Sequence, residues 1–156
     1  MLIVGCGCRG RALAAALLAD GHAVRGTTRH TECLAEIAAA GAEAVVADPD
    51  RLGTVMTQLA GVTVVCWLLG SAGGDKAGEL HGPRLETLLE RLVDTPVRGV
   101  LYEAAGTVEP KLLRGGAGAV RAAAERWRLP AEVVEADAAD HDAWLAAMRA
   151  AVARLL

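Results

Sequence analysis

The feature that most constrains this chain is the placement of three glycines, Gly5, Gly7 and Gly10, between the apolar run Leu2 Ile3 Val4 and an alanine- and leucine-rich stretch that begins at Arg9. The apolar run reads as a buried strand, and the stretch Arg9 to Ala19 reads as a helix closed by Gly21, so the glycines form the link of a strand–turn–helix unit. In such a link the first glycine permits the tight turn, the second lets backbone approach a pyrophosphate, and the third lets the helix lie close on the strand. The helix N-terminus adds its attraction for an anion. The spacing points to a dinucleotide, set against a plain βα turn that needs glycine only for its own geometry.

The rest of the chain repeats the same alternation. Strands are expected at His22 to Thr27, Ala44 to Ala47, Val62 to Leu68, Val97 to Tyr102 and Ala131 to Glu135, with helices over Thr31 to Ala40, Asp50 to Leu59, Pro83 to Val93, Ala119 to Trp127 and Asp140 to Leu155. Two stretches, Gly70 to Gly82 and Glu103 to Gly118, read as loops because of their glycines, the first as a mobile one. Six βα units with right-handed crossovers predict an α/β fold of the Rossmann type: a doubly wound, six-stranded parallel sheet in the order 3-2-1-4-5-6, one compact domain over residues 1–156.

Composition excludes several classes. The chain has 156 residues, 53% of them hydrophobic and 22% charged, the proportions of one globular domain, which buries roughly 70% of its unfolded surface. A net charge of -3 argues against a nucleic-acid surface, which needs a basic face. No run reaches the ~18 apolar residues of a membrane helix, and no basic segment precedes the first apolar run, so a cytoplasmic location without membrane contact is expected. The four cysteines, Cys6, Cys8, Cys33 and Cys66, match neither a redox pair nor a zinc pattern, so no metal is expected, and Cys6 and Cys8 read as small residues required by the loop.

The end of the second strand selects among cofactors. NAD enzymes, FAD enzymes and methyltransferases usually carry an acidic residue there for ribose hydroxyls, whereas this chain has Gly26 Thr27 Thr28 Arg29. A carboxylate would repel a 2′-phosphate, while hydroxyls and a guanidinium donate to it, so NADP(H) is favoured over NAD(H) and S-adenosylmethionine is disfavoured. Arg9 is expected on the same edge as a second cation. The alternative for Arg29 is a solvated arginine opening a helix.

The residues Val4 to Leu13, Gly21 to Arg29 and Ala42 to Asp48 resemble the N-terminal half of atypical and extended short-chain dehydrogenase/reductases, the relatives of NAD-dependent epimerases and dehydratases. The resemblance is strong over roughly the first 70 residues and looser beyond. It implies cofactor contacts at Gly5, Gly7, Cys8, Arg9, Gly10, Thr27, Thr28 and Arg29, with Arg9 and Arg29 on the 2′-phosphate. It also implies Asp48 near the adenine and the segment Trp67 to Gly70, including Leu69, beside the nicotinamide-side ribose. Read from the residues alone, Asp48 before Pro49 is equally a turn residue.

The family's chemistry is not carried over with its loop. Active members use a Tyr-x-x-x-Lys pair in which lysine lowers the tyrosine pKa. Here the single tyrosine, Tyr102, is followed four positions later by Gly106. Replacement groups are sought at strand ends, which singles out Tyr102 to orient a carbonyl and Glu103 as a general base, against a reading in which Tyr102 packs in the core and Glu103 is solvated. His81 is a further loop candidate.

Three functions stay open: an NADP(H)-binding domain with weak oxidoreductase activity, a non-enzymatic NADP(H) sensor acting through a protein partner, and a small reductase completed across a homodimer. For the homodimer, Leu85, Leu88, Leu89 and Leu92 with Val120, Ala123, Ala124 and Trp127 offer a stripe that forms an interface or else faces the sheet.

Overall fold

The computed structural model describes residues 1–156. Short extended runs form strands β1 (Leu2–Val4), β2 (Arg25–Thr28), β3 (Glu43–Val46), β4 (Val64–Trp67), β5 (Gly99–Glu103) and β6 (Ala131–Val134), all but β2 carrying Val, Leu or Ile. The helices are α1 (Cys8–Ala19), α2 (Leu34–Ala39) behind a 3-10 turn at Thr31–Cys33, α3 (Leu52–Met56), α4 (Ala77–His81), α5 (Pro83–Leu92), α6 (Pro110–Trp127) and α7 (His141–Arg154). Every strand pair is parallel, in the order β3-β2-β1-β4-β5-β6. The winding reverses between β1 and β4, which opens a crevice beyond the carboxyl ends of those two strands.

Strand alternation divides the core into two layers, one on each face of the sheet. Val4, Trp67, Val100 and Tyr102 pack with the leucines of α5 and with Ala117 and Val120 of α6. Ile3, Cys66 and Leu101 pack on the other face with Leu13 and Leu17 of α1 and with Trp144 and Met148 of α7. Tyr102 and Glu103, neighbours on β5, therefore point to opposite faces. No helix is long and apolar enough to cross a membrane.

The structure differs from the sequence expectations in three places. Helix α6 begins at Pro110, well before Ala119, and takes in Gly115, Gly116 and Gly118. Each glycine lowers helix propensity by about 1 kcal/mol, and together they read as a loop. The helix forms because Leu113, Gly116, Ala117, Val120 and Ala123 make one buried stripe, and because a Cβ on Gly116 would collide with the Tyr102 hydroxyl. The Gly70 to Gly82 stretch contains α4, anchored where the Trp67 indole N–H donates to the Leu80 carbonyl at 3.2 Å. Lastly, Leu85, Leu88, Leu89 and Leu92 are buried within the fold, as are Val120 and Ala123, so these residues of the stripe face the sheet, while Ala124 and Trp127 are half-buried.

The glycines of α6 thus separate into two kinds. Gly115 and Gly118 have open space where a Cβ would stand. Gly118→Ala is expected to raise stability by roughly 0.5–1 kcal/mol, and Gly116→Ala to lower it by roughly 1–3 kcal/mol, both read from denaturant unfolding.

Candidate active site

The three loop glycines are distinguished by what surrounds them. Gly5 has a φ of +85°, and a Cβ there would come within 2.5 Å of the Leu68 carbonyl oxygen, so both turn geometry and close approach to β4 demand glycine. A Cβ on Gly10 would meet the Gly5 carbonyl oxygen at 3.0 Å, which fixes how close α1 lies to β1. A Cβ on Gly7 would meet nothing within 4 Å. That empty space lies at the N-terminus of α1, whose first N–H groups have no acceptor within the helix, so backbone there can approach an anionic ligand. The cradle fits a diphosphate.

These residues open a crevice of about 440 Å³ lined by Gly5, Gly7, Cys8, Arg9 and Gly10 from the loop, by Thr27, Thr28 and Arg29 from β2, and by Leu69 and Glu103 from the far side. Most of the residues singled out from sequence thus converge on one crevice. Asp48, Gly70 and Tyr102 do not line it. Asp48 instead accepts the Asp50 backbone N–H through Oδ1 at 3.0 Å, the turn role its place before proline suggests. Gly70 donates its N–H to Glu103 Oε2 at 2.9 Å and is crowded against Ala105, which leaves no room for a side chain.

On the β2 side the hydroxyls stiffen the crevice. Thr27 is buried, and its Oγ1 accepts the Gly5 N–H at 3.3 Å, tying the glycine loop to β2. Thr28 Oγ1 accepts the His30 N–H at 3.1 Å and closes the turn that presents Arg29. Arg29 is exposed and enters no ion pair. Cys6 sits behind the loop, where a Cβ on Gly26 would lie 2.7 Å from its sulfur. Burial pushes the Cys6 thiol up to about 11, so it remains protonated and acts as a small apolar residue.

On the β4–β5 side the arrangement departs from the sequence reading. Arg9 reaches across β1 away from Arg29: its Nη2 donates to Glu103 Oε1 and to Ser71 Oγ, both at 3.0 Å, and its guanidinium lies 5.6 Å from the centroid of the Trp144 ring. The two arginines expected on one edge are thus on opposite sides of the glycine loop. Glu103 is 1% exposed, and the Trp144 indole N–H also donates to its Oε1, at 3.1 Å. It is neither solvated nor free, since all its partners are donors from this chain. Ser71 and Trp144 were not legible as part of this site, because nothing in their spacing relates them to Arg9.

Tyr102 lies on the opposite face of the sheet, in a buried network with His81. The distance from Tyr102 Oη to His81 Nδ1 is 2.6 Å, and from His81 Nε2 to the Leu69 carbonyl oxygen 3.1 Å. A carbonyl only accepts, so Nε2 carries the proton and Nδ1 accepts from the phenol. Burial holds the His81 pKa below its usual value and raises that of Tyr102, first through burial and then through the adjacent Glu103 charge. His81 therefore stays neutral in the fold while the unfolded chain takes up a proton below about pH 6.5. Its contribution to stability is present above that pH and lost as pH falls towards its folded pKa, with a slope of at most about 1.4 kcal/mol per pH unit. The free energy of unfolding, measured from pH 7 to pH 5, is expected to fall more steeply for the native chain than for His81→Gln.

A family of NAD(P)H-binding domains matches residues 5–111, which includes the glycine loop, β2 and the start of α6. No protein of curated function matches this sequence. Among solved structures, a Bacillus halodurans protein named as a NAD-dependent epimerase/dehydratase is 23% identical, with a TM-score of 0.68 over 87% of this chain and 69% of its own. The UDP-glucuronic acid 4-epimerase of Bacillus cereus, solved with NAD, is 14% identical, with a TM-score of 0.66 over 86% of this chain and 54% of its own. The triphenylmethane reductase of a Citrobacter species, solved with NADP(H), is 16% identical, with a TM-score of 0.65 over 86% of this chain and 48% of its own. This chain spans about half the length of these last two enzymes, and the likeness to all three is one of fold. With its glycine loop, its crevice at the switch point and the match over most of its length, the chain belongs to the NAD(P)H-binding family.

Proposed function

We propose that this chain binds NADP(H) in preference to NAD(H) and turns it over weakly or not at all by the usual short-chain reductase chemistry. The observation that carries the preference is Arg29, exposed at the crevice end of β2 with no ion-pair partner and no carboxylate beside it among Gly26 to Arg29. A 2′-phosphate there gains charge-assisted hydrogen bonds without meeting an acidic side chain. Arg9, whose charge is matched by Glu103, serves the other end of the crevice. The cofactor would supply a hydride; Gly7 and the first turn of α1 would hold its diphosphate, and Leu69 would border its nicotinamide-side ribose.

Weak turnover is supported by the engagement of the only tyrosine, whose hydroxyl faces His81 and the Leu113 carbonyl, away from the crevice. Losing a general acid removes a factor of roughly 10² to 10⁴, and Glu103, held by three donors, is a poor substitute. This favours a sensor, in which cofactor binding alters contact with a protein partner, over a reductase.

Titration with NADPH and NADH tests both halves. Arg29→Ala is expected to weaken NADPH binding by roughly 1.5 to 3 kcal/mol and leave NADH nearly unchanged, whereas Arg9→Ala leaves the ratio of the two affinities as it was. Equal losses for both cofactors in Arg29→Ala would remove the preference. NADPH oxidation with simple aldehydes and ketones is expected to stay near background. Strong turnover that disappears in Tyr102→Phe or Glu103→Gln would make the protein a reductase.

A further inference from the structure

Six of the fourteen arginines of this chain, Arg9, Arg11, Arg25, Arg121, Arg149 and Arg154, meet a carboxylate within 4 Å. Three that are not paired gather at one place. Arg84 and Arg91 stand with Thr87 at positions i, i+7 and i+3 of α5, on the side turned away from its buried leucines, and Arg51 immediately precedes α3. Together they line an open pocket of about 390 Å³ between α3 and α5.

The acids nearby do not neutralise them. Asp50, on the pocket wall, is taken by Lys76 Nζ at 3.1 Å, and Glu86 and Glu90 of α5 enter no ion pair. Three arginines therefore line one pocket with no carboxylate within 4 Å of any of them, on a chain whose net charge is -3. Such a concentration against the overall sign is unfavourable by itself and attracts an anion. The pocket's two hydroxyls turn inward: Thr87 Oγ1 donates to the Pro83 carbonyl at 2.8 Å and Thr54 Oγ1 to the Arg51 carbonyl at 2.8 Å. The charged groups lining the pocket are thus the three guanidinium forks, each of which matches two oxygens of a phosphate group, and Asp50, whose charge Lys76 balances.

We propose that this pocket is a binding site for a small soluble molecule bearing a diphosphate or two phosphate groups, held by Arg51, Arg84 and Arg91. It is separate from the cofactor crevice: no residue lines both, although Pro49 borders one and Asp50 the other. Three forks offer more donors than a single carboxylate accepts, which selects multiply charged phosphate compounds. The pocket's size is that of a small-ligand site.

The test is calorimetric titration of the full chain with inorganic pyrophosphate at low ionic strength. The double variant Arg84→Gln/Arg91→Gln is expected to bind at least about tenfold more weakly than the native chain, the loss of one to two charge-assisted contacts, while Arg126→Gln, exposed and lining neither pocket, retains the binding. Thermal melting of the double variant is expected to match the native chain, because both positions are exposed. The proposal is overturned if the double variant binds pyrophosphate as the native chain does, if binding is lost only in Gly7→Asp, which puts a carboxylate into the diphosphate cradle of the cofactor crevice, or if sulfate at equal concentration competes as well as pyrophosphate. Capture by vesicles carrying phosphatidylinositol phosphates that free pyrophosphate does not displace would also overturn it.

Discussion

The carboxylate of Glu103 is the point on which the crevice depends. It ends β5, and from that one position it joins the first turn of α1 through Arg9, the segment after β4 through the Gly70 N–H, and α7 through Trp144. A carboxylate taken from water is costly unless every lone pair finds a donor. Here Arg9 supplies charge, backbone and indole supply the remaining N–H groups, and the glycine at position 70 is what lets the backbone come near enough. Removing any partner leaves a buried charge short of donors, so the four segments are positioned together.

Adjacent residues on a strand point to opposite faces, and β5 uses this to divide two tasks. Glu103 fixes the crevice on the α1 and α7 side. Tyr102 fixes the other side, where its hydroxyl meets His81 and where Gly116 allows α6 to close over it. His81 in turn holds the Leu69 carbonyl, so the wall of the crevice after β4 is secured from both faces of the sheet. The sole tyrosine thereby has a structural task. The two groups that strand position suggested as an acid and base both hold the crevice in shape.

The three glycines and the alternation of apolar and helical runs carried the strand order and the cofactor loop, because both follow from local geometry: turn conformation, helix ends and the twist that makes crossovers right-handed. Gly5, Gly10, Thr28 and Arg29 could be placed from their positions relative to β1 and β2 alone. Helix α6 could not, since Gly115, Gly116 and Gly118 signal a loop until one knows that Tyr102 stands beneath Gly116. Nor could α4, whose five residues are held by Trp67 and His81 rather than by any propensity of their own.

Sequence by itself determined the parallel sheet, its switch point, the anion-binding turn and the basic residue at the end of β2, all matters of neighbours within a few positions. Tertiary structure decided where charges and faces meet. Arg9 turns to Glu103, 94 positions away, instead of joining Arg29. The leucine stripe of α5 faces the sheet, and Arg51 comes beside Arg84 and Arg91 only because α3 and α5 pack on the same face. Such pairings depend on which elements the crossovers bring together, and a carboxylate buried far from its partner in sequence leaves no periodic or compositional trace.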